Sequence, residues 1–178
     1  MITHIPKIYC FIDDLNKDYI TKLKKNIAII FRNYDKKINI NEIIKFKQEC
    51  KKNNRLFFLS NNIKIAIRLD LNGAYIPAFN TKINLNFNKK KGFIILGSAH
   101  SVKEIKIKEK QGVDCIFISP LFLTSKSNRF LGLTKFKKLS NHTNKKIIAL
   151  GGLSKKNLNQ IKNLNVYGYA SISLFKSF

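Results

Sequence analysis

The sequence is short of acid. Its 178 residues carry 10 Asp and Glu against 34 Lys and Arg, a formal charge of +24 at pH 7. Such an excess ordinarily points to an anionic partner, nucleic acid or phospholipid. The lysines do not gather into one arm or stripe, however. They recur in KLKKN, CKKNN, NKKKG, KIKEK, KFKKL and SKKNL, segments that read as outward helix faces or loops. No nucleic-acid motif accompanies them. The charge is therefore read as composition, like the surplus of Asn and Ile that AT-rich codons produce, and neither nucleic acid nor membrane is expected as a partner. Cysteine is scarce too. Cys10, Cys50 and Cys115 stand in apolar or helical contexts without metal-type spacing, which implies no disulfide framework and fits packed thiols in a cytoplasmic protein. No apolar run approaches the ~18 residues of a membrane helix, and the start MITHIPKIYCFIDD lacks a signal-peptide pattern. At this length one domain over residues 1–178 is expected.

What is present in quantity is short apolar runs. KIYCFID, IAIIFR, RLFFLS, GAYIPAF, FIILGS, CIFISPLF, KIIALGG and YGYASIS are continuous rather than alternating, the mark of parallel strands covered on both faces. Helical patterns lie between most of them. NINEIIKFKQECKKN places Ile43, Phe46 and Cys50 on one face, and SVKEIKIKEKQG ends on Gly112 as at a helix C-cap. SKKNLNQIKNLN starts from Ser154 as an N-cap and sets Leu158, Ile161 and Leu164 three apart. Eight such units predict an α/β fold, a (β/α)₈ barrel. The chain is short for that fold, which usually takes about 200 residues or more. The trimming is expected in NTKINLNFNKKKG, too polar for a full fourth helix, and at LFKSF, where a last helix would run. A barrel thin at those places is one that a second subunit could patch, so a homo-oligomer is an expectation.

In such barrels chemistry collects at the C-terminal ends of strands. Gly151 and Gly152 follow the seventh strand, where bare N–H groups and a helix N-terminus would favour a phosphate, and Ile172 and Ser173 follow the eighth. The plain alternative for the glycine pair is a tight turn. His100, one of three histidines, stands at the turn after the fifth strand. An acid–base group and a polar loop residue both fit that position.

GSAHSVKE, DCIFISPLFLTSKS, Leu131-Gly132, IIALGGLSKKN and YGYASIS occur in an order and spacing that resemble the thiamine phosphate synthase and thiazole tautomerase (TenI-type) family. The resemblance covers Phe93 to Ser173 and continues more faintly through FFLSNNIKIAIRLDLNGAYI. It implies a phosphate-binding barrel in thiamine biosynthesis, with a small phosphorylated thiazole as ligand. Gly151, Gly152 and Ser173 would hold the thiazole phosphate, Ser98 and Thr124 match groups that bind the pyrophosphate of the pyrimidine substrate in synthases, and His100 falls on the histidine that tautomerases use as acid–base.

The departures from that pattern separate the activities. Synthases bind Mg²⁺ through carboxylates after strands three and four. Here the positions read Ser60-Asn61 and Asn80, and neutral amides are poor ligands for that hard cation. The Gln-x-Arg-x-Lys pattern after strand two keeps Arg32 but has Ile30 and Tyr34 beside it, and Pro77 is more like tautomerases. The expectation is a metal-independent isomerase with no cofactor. The alternative is a divergent synthase, needing Mg²⁺ or using Arg32, Lys126 and Arg129 to neutralise the diphosphate. A non-catalytic protein that binds a phosphorylated metabolite is the third reading.

Overall fold

Each of the eight apolar runs forms a strand, and the computed structural model, which describes residues 4–34, 38–84, 87–125 and 128–175, closes them into a barrel. The strands are β1 (Ile8–Ile12), β2 (Ile27–Phe31), β3 (Phe57–Ser60), β4 (Gly73–Ile76), β5 (Ile94–Ala99), β6 (Cys115–Ile118), β7 (Lys146–Leu150) and β8 (Gly168–Ser171). All pair in parallel with their sequence neighbours, and β8 returns to β1 with Tyr169 opposite Ile8. The runs are apolar throughout because alternate residues serve two different cores. Ile29, Leu59, Ile95 and Ile116 belong to the layer beneath the helices, whereas Tyr9, Phe58, Tyr75 and Phe117 fill the interior.

The helices are α1 (Asp18–Lys22), α2 (Ile40–Lys52), α3 (Ile63–Arg68), α4 (Val102–Lys110) and α5 (Gly132–Ser140). In α2 the side chain of Asn39 accepts from the N–H groups of Asn41 and Glu42, and Ile43, Phe46 and Cys50 are buried as their spacing predicts. Helix α4 begins on Ser101, whose hydroxyl accepts from Glu104 N. It ends where the N–H groups of Gly112 and Val113 turn back to the carbonyls of Glu109 and Lys108.

Trimming after β4 is as expected: among the described residues between β4 and β5 there is no helix. The helix expected from Ser154 onward does not form. Leu158–Asn163 is a 3₁₀ segment, with Leu158 half-buried and Ile161 and Leu164 buried. A spacing of three residues is the 3₁₀ period, which brings i and i+3 into line where an α-helix would not. Asn157 reinforces this by bonding locally: its amide accepts from Ser154 N at 2.8 Å and donates to Gly152 O at 2.8 Å, in competition with a helical ladder. The reading of KIKEK as an outward face also needs correction, because Lys108 is fully buried.

The barrel interior is packed with rings. Phe117 meets Tyr9 at 5.0 Å and Tyr75 at 5.4 Å between centroids, and Phe11 meets Tyr75 at 5.1 Å, all edge-on, the arrangement that aromatic quadrupoles favour. Replacing Phe117 by Ala is expected to cost about 3–5 kcal/mol, the loss typical of emptying a buried aromatic position. Urea denaturation of the two proteins measures it.

Candidate active site

At the C-terminal ends of the strands the barrel opens into a cavity of about 370 Å³, the size of a small-ligand site. Phe11 and Tyr75 line it and pack on Phe117 below, so the plug that fills the interior also lays an apolar floor. Burial holds the Tyr75 phenol above its usual range, with a hydrogen bond to Ser98 pulling the other way, so both floor rings are neutral at physiological pH.

Arg32, at the end of β2, is fixed by Asp13 at the end of β1: its Nε and Nη2 donate to Asp13 Oδ1 at 3.1 and 3.0 Å. The guanidinium stands 5.8 Å from the centroid of Phe11. Next to it, Tyr34 and Ser60 share a hydroxyl–hydroxyl bond of 2.9 Å, and the Tyr34 ring meets Phe79 edge-on at 5.2 Å. Burial raises the Tyr34 phenol; its bond to Ser60 and the nearby Arg32 act in the opposite sense. Asn61 and Asn80 do come together, and they bond each other, Asn80 Nδ2 donating to Asn61 Oδ1 at 2.8 Å. No cluster of three His, Cys, Asp or Glu suited to a metal ion occurs among the described residues.

Across the cavity, β5 and the turn after it supply Ser98 and His100, the first turn of α4 supplies Glu104, and Ser119 follows directly on β6. Glu104 Oε2 accepts from the backbone N–H of His100, fixing the turn. His100 Nδ1 lies 2.7 Å from the carbonyl oxygen of Ser119 and 3.2 Å from its hydroxyl. A carbonyl can only accept, so in the neutral ring Nδ1 carries the proton and Nε2 keeps its lone pair. An exposed imidazole poised in this way at a cavity wall can take up a proton and return it.

The third wall comes from Leu150 and Ile172, which bracket the Gly151–Gly152 turn. Both glycines have positive φ, 96° and 67°, and a Cβ on Gly152 would overlap the carbonyls of Phe122 and Leu123. The loop after β6 lies that close because Leu121 N and Phe122 N donate to Leu150 O and Gly151 O. Glycine is therefore required here by chain packing, whatever binds. The N–H groups of Gly152 and Ser173 donate to no acceptor among the described residues and remain open to a ligand. The α-helix N-terminus expected to reinforce this turn is missing, since only the 3₁₀ segment follows.

Of the residues singled out in the sequence, the cavity gathers Arg32, Tyr34, Ser98, His100 and Ile172, with Ser60 reached through Tyr34 and Gly151–Gly152 beside Leu150. Asn61 and its partner Asn80 stand outside the lining, bonded to each other. Ser173 is exposed outside the lining, Thr124 is half-buried on the loop after β6, and Arg129 is exposed on that loop. Lys126 lies outside the described residues. Phe79, Glu104 and Ser119 were not anticipated. Two of them carried a signal: Glu104 is four residues from His100, and Ser119 follows directly on a strand.

A closed parallel barrel whose mouth carries an apolar floor, an arginine and a histidine defines a (β/α)₈ protein with a ligand-sized cavity at the C-terminal ends of its strands. More particularly, the chain belongs to the thiamine monophosphate synthase (TMP-TENI) family, whose model matches residues 18–175. It is 29% identical over 159 residues to a protein named putative thiamine-phosphate synthase 2 from Aquifex aeolicus, covering 86% of this chain and 85% of that one. It is 28% identical over 144 residues to the thiamine-phosphate synthase of Methanococcus vannielii, covering 78% and 70%. Thiamine phosphate pyrophosphorylase from Pyrococcus furiosus superposes with a TM-score of 0.75 over 94% of this chain and 86% of that one; at 23% identity the likeness is one of fold.

The geometry at His100 has a direct spectroscopic consequence. Long-range proton–nitrogen NMR of the neutral ring should report the Nδ1–H tautomer, against the Nε2–H form that dominates free histidine, and Ser119 O is what selects it.

Proposed function

We propose that this chain acts in thiamine biosynthesis, binding a thiazole phosphate in the barrel mouth and shifting a proton on its ring with His100, without a metal ion. The observation that carries this reading is the Asn61–Asn80 hydrogen bond of 2.8 Å. At and nearest the two positions where the resemblance would put carboxylate ligands for Mg²⁺, Asn61 and Asn80 are neutral amides engaged with one another. Mg²⁺ takes hard anionic oxygens in an octahedral arrangement, and this donor set does not fit it. An isomerisation needs less: an anchor for the phosphate and one group that can hold a proton.

In this reading the phosphate lies against the N–H groups of Gly152 and Ser173, and the flat ring rests on Phe11 and Tyr75. His100 Nε2 removes a proton from one ring carbon, the electron pair moves into the ring, and the imidazolium returns the proton at the other end of the shifted double bond. The Nδ1–H bond to Ser119 O stabilises the charged ring between the two transfers. Protons balance with no co-reactant. A second reading, coupling of the thiazole to a pyrimidine diphosphate, is favoured by the names of the relatives and by Arg32 at the mouth.

Incubating the protein with the thiazole phosphate tautomer, alone and with hydroxymethylpyrimidine diphosphate, in the presence and absence of Mg²⁺, decides between them. Isomerisation at the same rate with and without Mg²⁺ is expected. His100→Asn should lower that rate by about 10²–10⁴, the usual contribution of acid–base help, while affinity for the phosphorylated ligand persists. Mg²⁺-dependent coupling without isomerisation would overturn the reading in favour of the synthase. In the absence of any diphosphate, calorimetric titration with Mg²⁺ should show no saturating signal.

A further inference from the structure

The wall of the cavity formed by Pro77, Ala78 and Phe79 belongs to the stretch after β4 that, among the described residues, has no helix to hold it. Its carbonyls are held instead by the next helix. Lys108 Nζ donates to Pro77 O and Asn80 O, both at 2.8 Å, and to Gln111 Oε1 at 2.9 Å. Gln111 Nε2 donates to Asn80 O at 2.9 Å and Lys82 O at 2.8 Å. Asn80 passes the restraint on, since its side chain accepts from Lys82 N and donates to Asn61. Both donors are buried, Lys108 completely and Gln111 to all but 4%. The sequence makes room for the lysine at Gly97, where a Cβ would stand 3.0 Å from Lys108 Cδ.

We infer that Lys108 is a positioning residue: its buried ammonium holds the 77–82 segment in the place where Phe79 and Ala78 complete the ligand cavity, and the segment shifts when the ammonium loses its proton. Three carbonyl oxygens surround Nζ, and an ammonium has three N–H donors to match them. A neutral amine has two, and its lone pair then faces the third oxygen. Burial pushes this lysine down to about 8, opposed by Glu104 one turn back on α4. The 77–82 segment offers only backbone carbonyls, its own Lys82 being exposed, and β5 presents the bare Gly97.

Two properties therefore move in opposite directions with pH. The folded-state pKa is below that of an unfolded lysine, so between about pH 8 and the ordinary lysine range the unfolded chain binds the extra proton, and this group adds to global stability as pH rises. Over the same interval the segment loses a hydrogen bond. A merely structural lysine would not make the cavity wall move while the whole fold is reinforced.

The sequence contains no tryptophan, so Phe79→Trp installs a single fluorescent reporter on the wall. Titrated from pH 6.5 to 9.5 without ligand, its emission should shift with a midpoint near pH 8, and urea midpoints should not fall over that range. The shift should vanish in Phe79→Trp/Lys108→Met, whose thioether follows the lysine stem without its donors. Emission that ignores pH, or the same midpoint in the double variant, would overturn the inference. Should the double variant fail to fold, as judged by circular dichroism, Phe79→Trp/Glu104→Gln serves: removing the acid must lower the midpoint, and an unchanged midpoint overturns the inference equally. The consequence for turnover rests on the isomerase reading: KM for the thiazole phosphate tautomer should rise above pH 8 in the parent protein and lose that rise in Lys108→Met. A reporter shift without a KM shift would count against the proposed ligand, whereas a missing reporter shift counts against the clamp.

Discussion

Ring packing inside the barrel is the constraint on which the site depends. Eight short strands can close around an interior only if side chains fill it, and here Tyr9, Phe11, Phe58, Tyr75 and Phe117 do so by edge-on contacts. Because Phe11 and Tyr75 are the uppermost of these rings, the fill that stabilises the fold also sets the depth and polarity of the cavity. A flat heteroaromatic ligand would meet a surface made of the same material as the core. Most of the polar groups stand higher, at the last residues of the strands and on the turns that leave them.

Around that rim the side chains are already bonded to one another. Arg32 leans on Asp13, Tyr34 on Ser60, Asn80 on Asn61, and His100 on Ser119. Partners of this kind fix orientation, which matters more to a proton transfer than the strength of any one bond. They also restrain the charge at the mouth: among the described residues Arg32 is the one lysine or arginine side chain in the cavity lining, and a carboxylate holds it.

Much of this was legible beforehand. The eight strands could be read because burial on both faces leaves no polar alternation to confuse the pattern, and His100 could be placed because strand ends converge in a barrel, whereas Arg32, Tyr34 and Ser98 were placed by the resemblance to the family's motifs. The 3₁₀ segment was misjudged from the same kind of signal: Leu158, Ile161 and Leu164 recur every three residues, which is a near miss for an α-helix and a match for the tighter one. Lys108 was hidden more thoroughly. In KIKEK it has the same neighbours as any solvated lysine, and its burial follows from a gap at Gly97 and from a missing helix two elements away. Phe79 was hidden for a similar reason, since nothing local says that an aromatic residue after β4 will meet Tyr34 from β2.

The seam between β1 and β8 has a consequence for how the chain is made. Every other strand pairing joins neighbours in sequence, so it can form as soon as the next unit leaves the ribosome. The seam sets Ile8 against Tyr169 and must wait for nearly the entire chain. Until then β1 keeps one edge of unpaired N–H and C=O groups beside an apolar face, the condition under which nascent chains stick to one another. Synthesis of this barrel is thus a period of exposure that ends only with its last strand, and the early strand most in need of shelter from a chaperone is Ile8–Ile12.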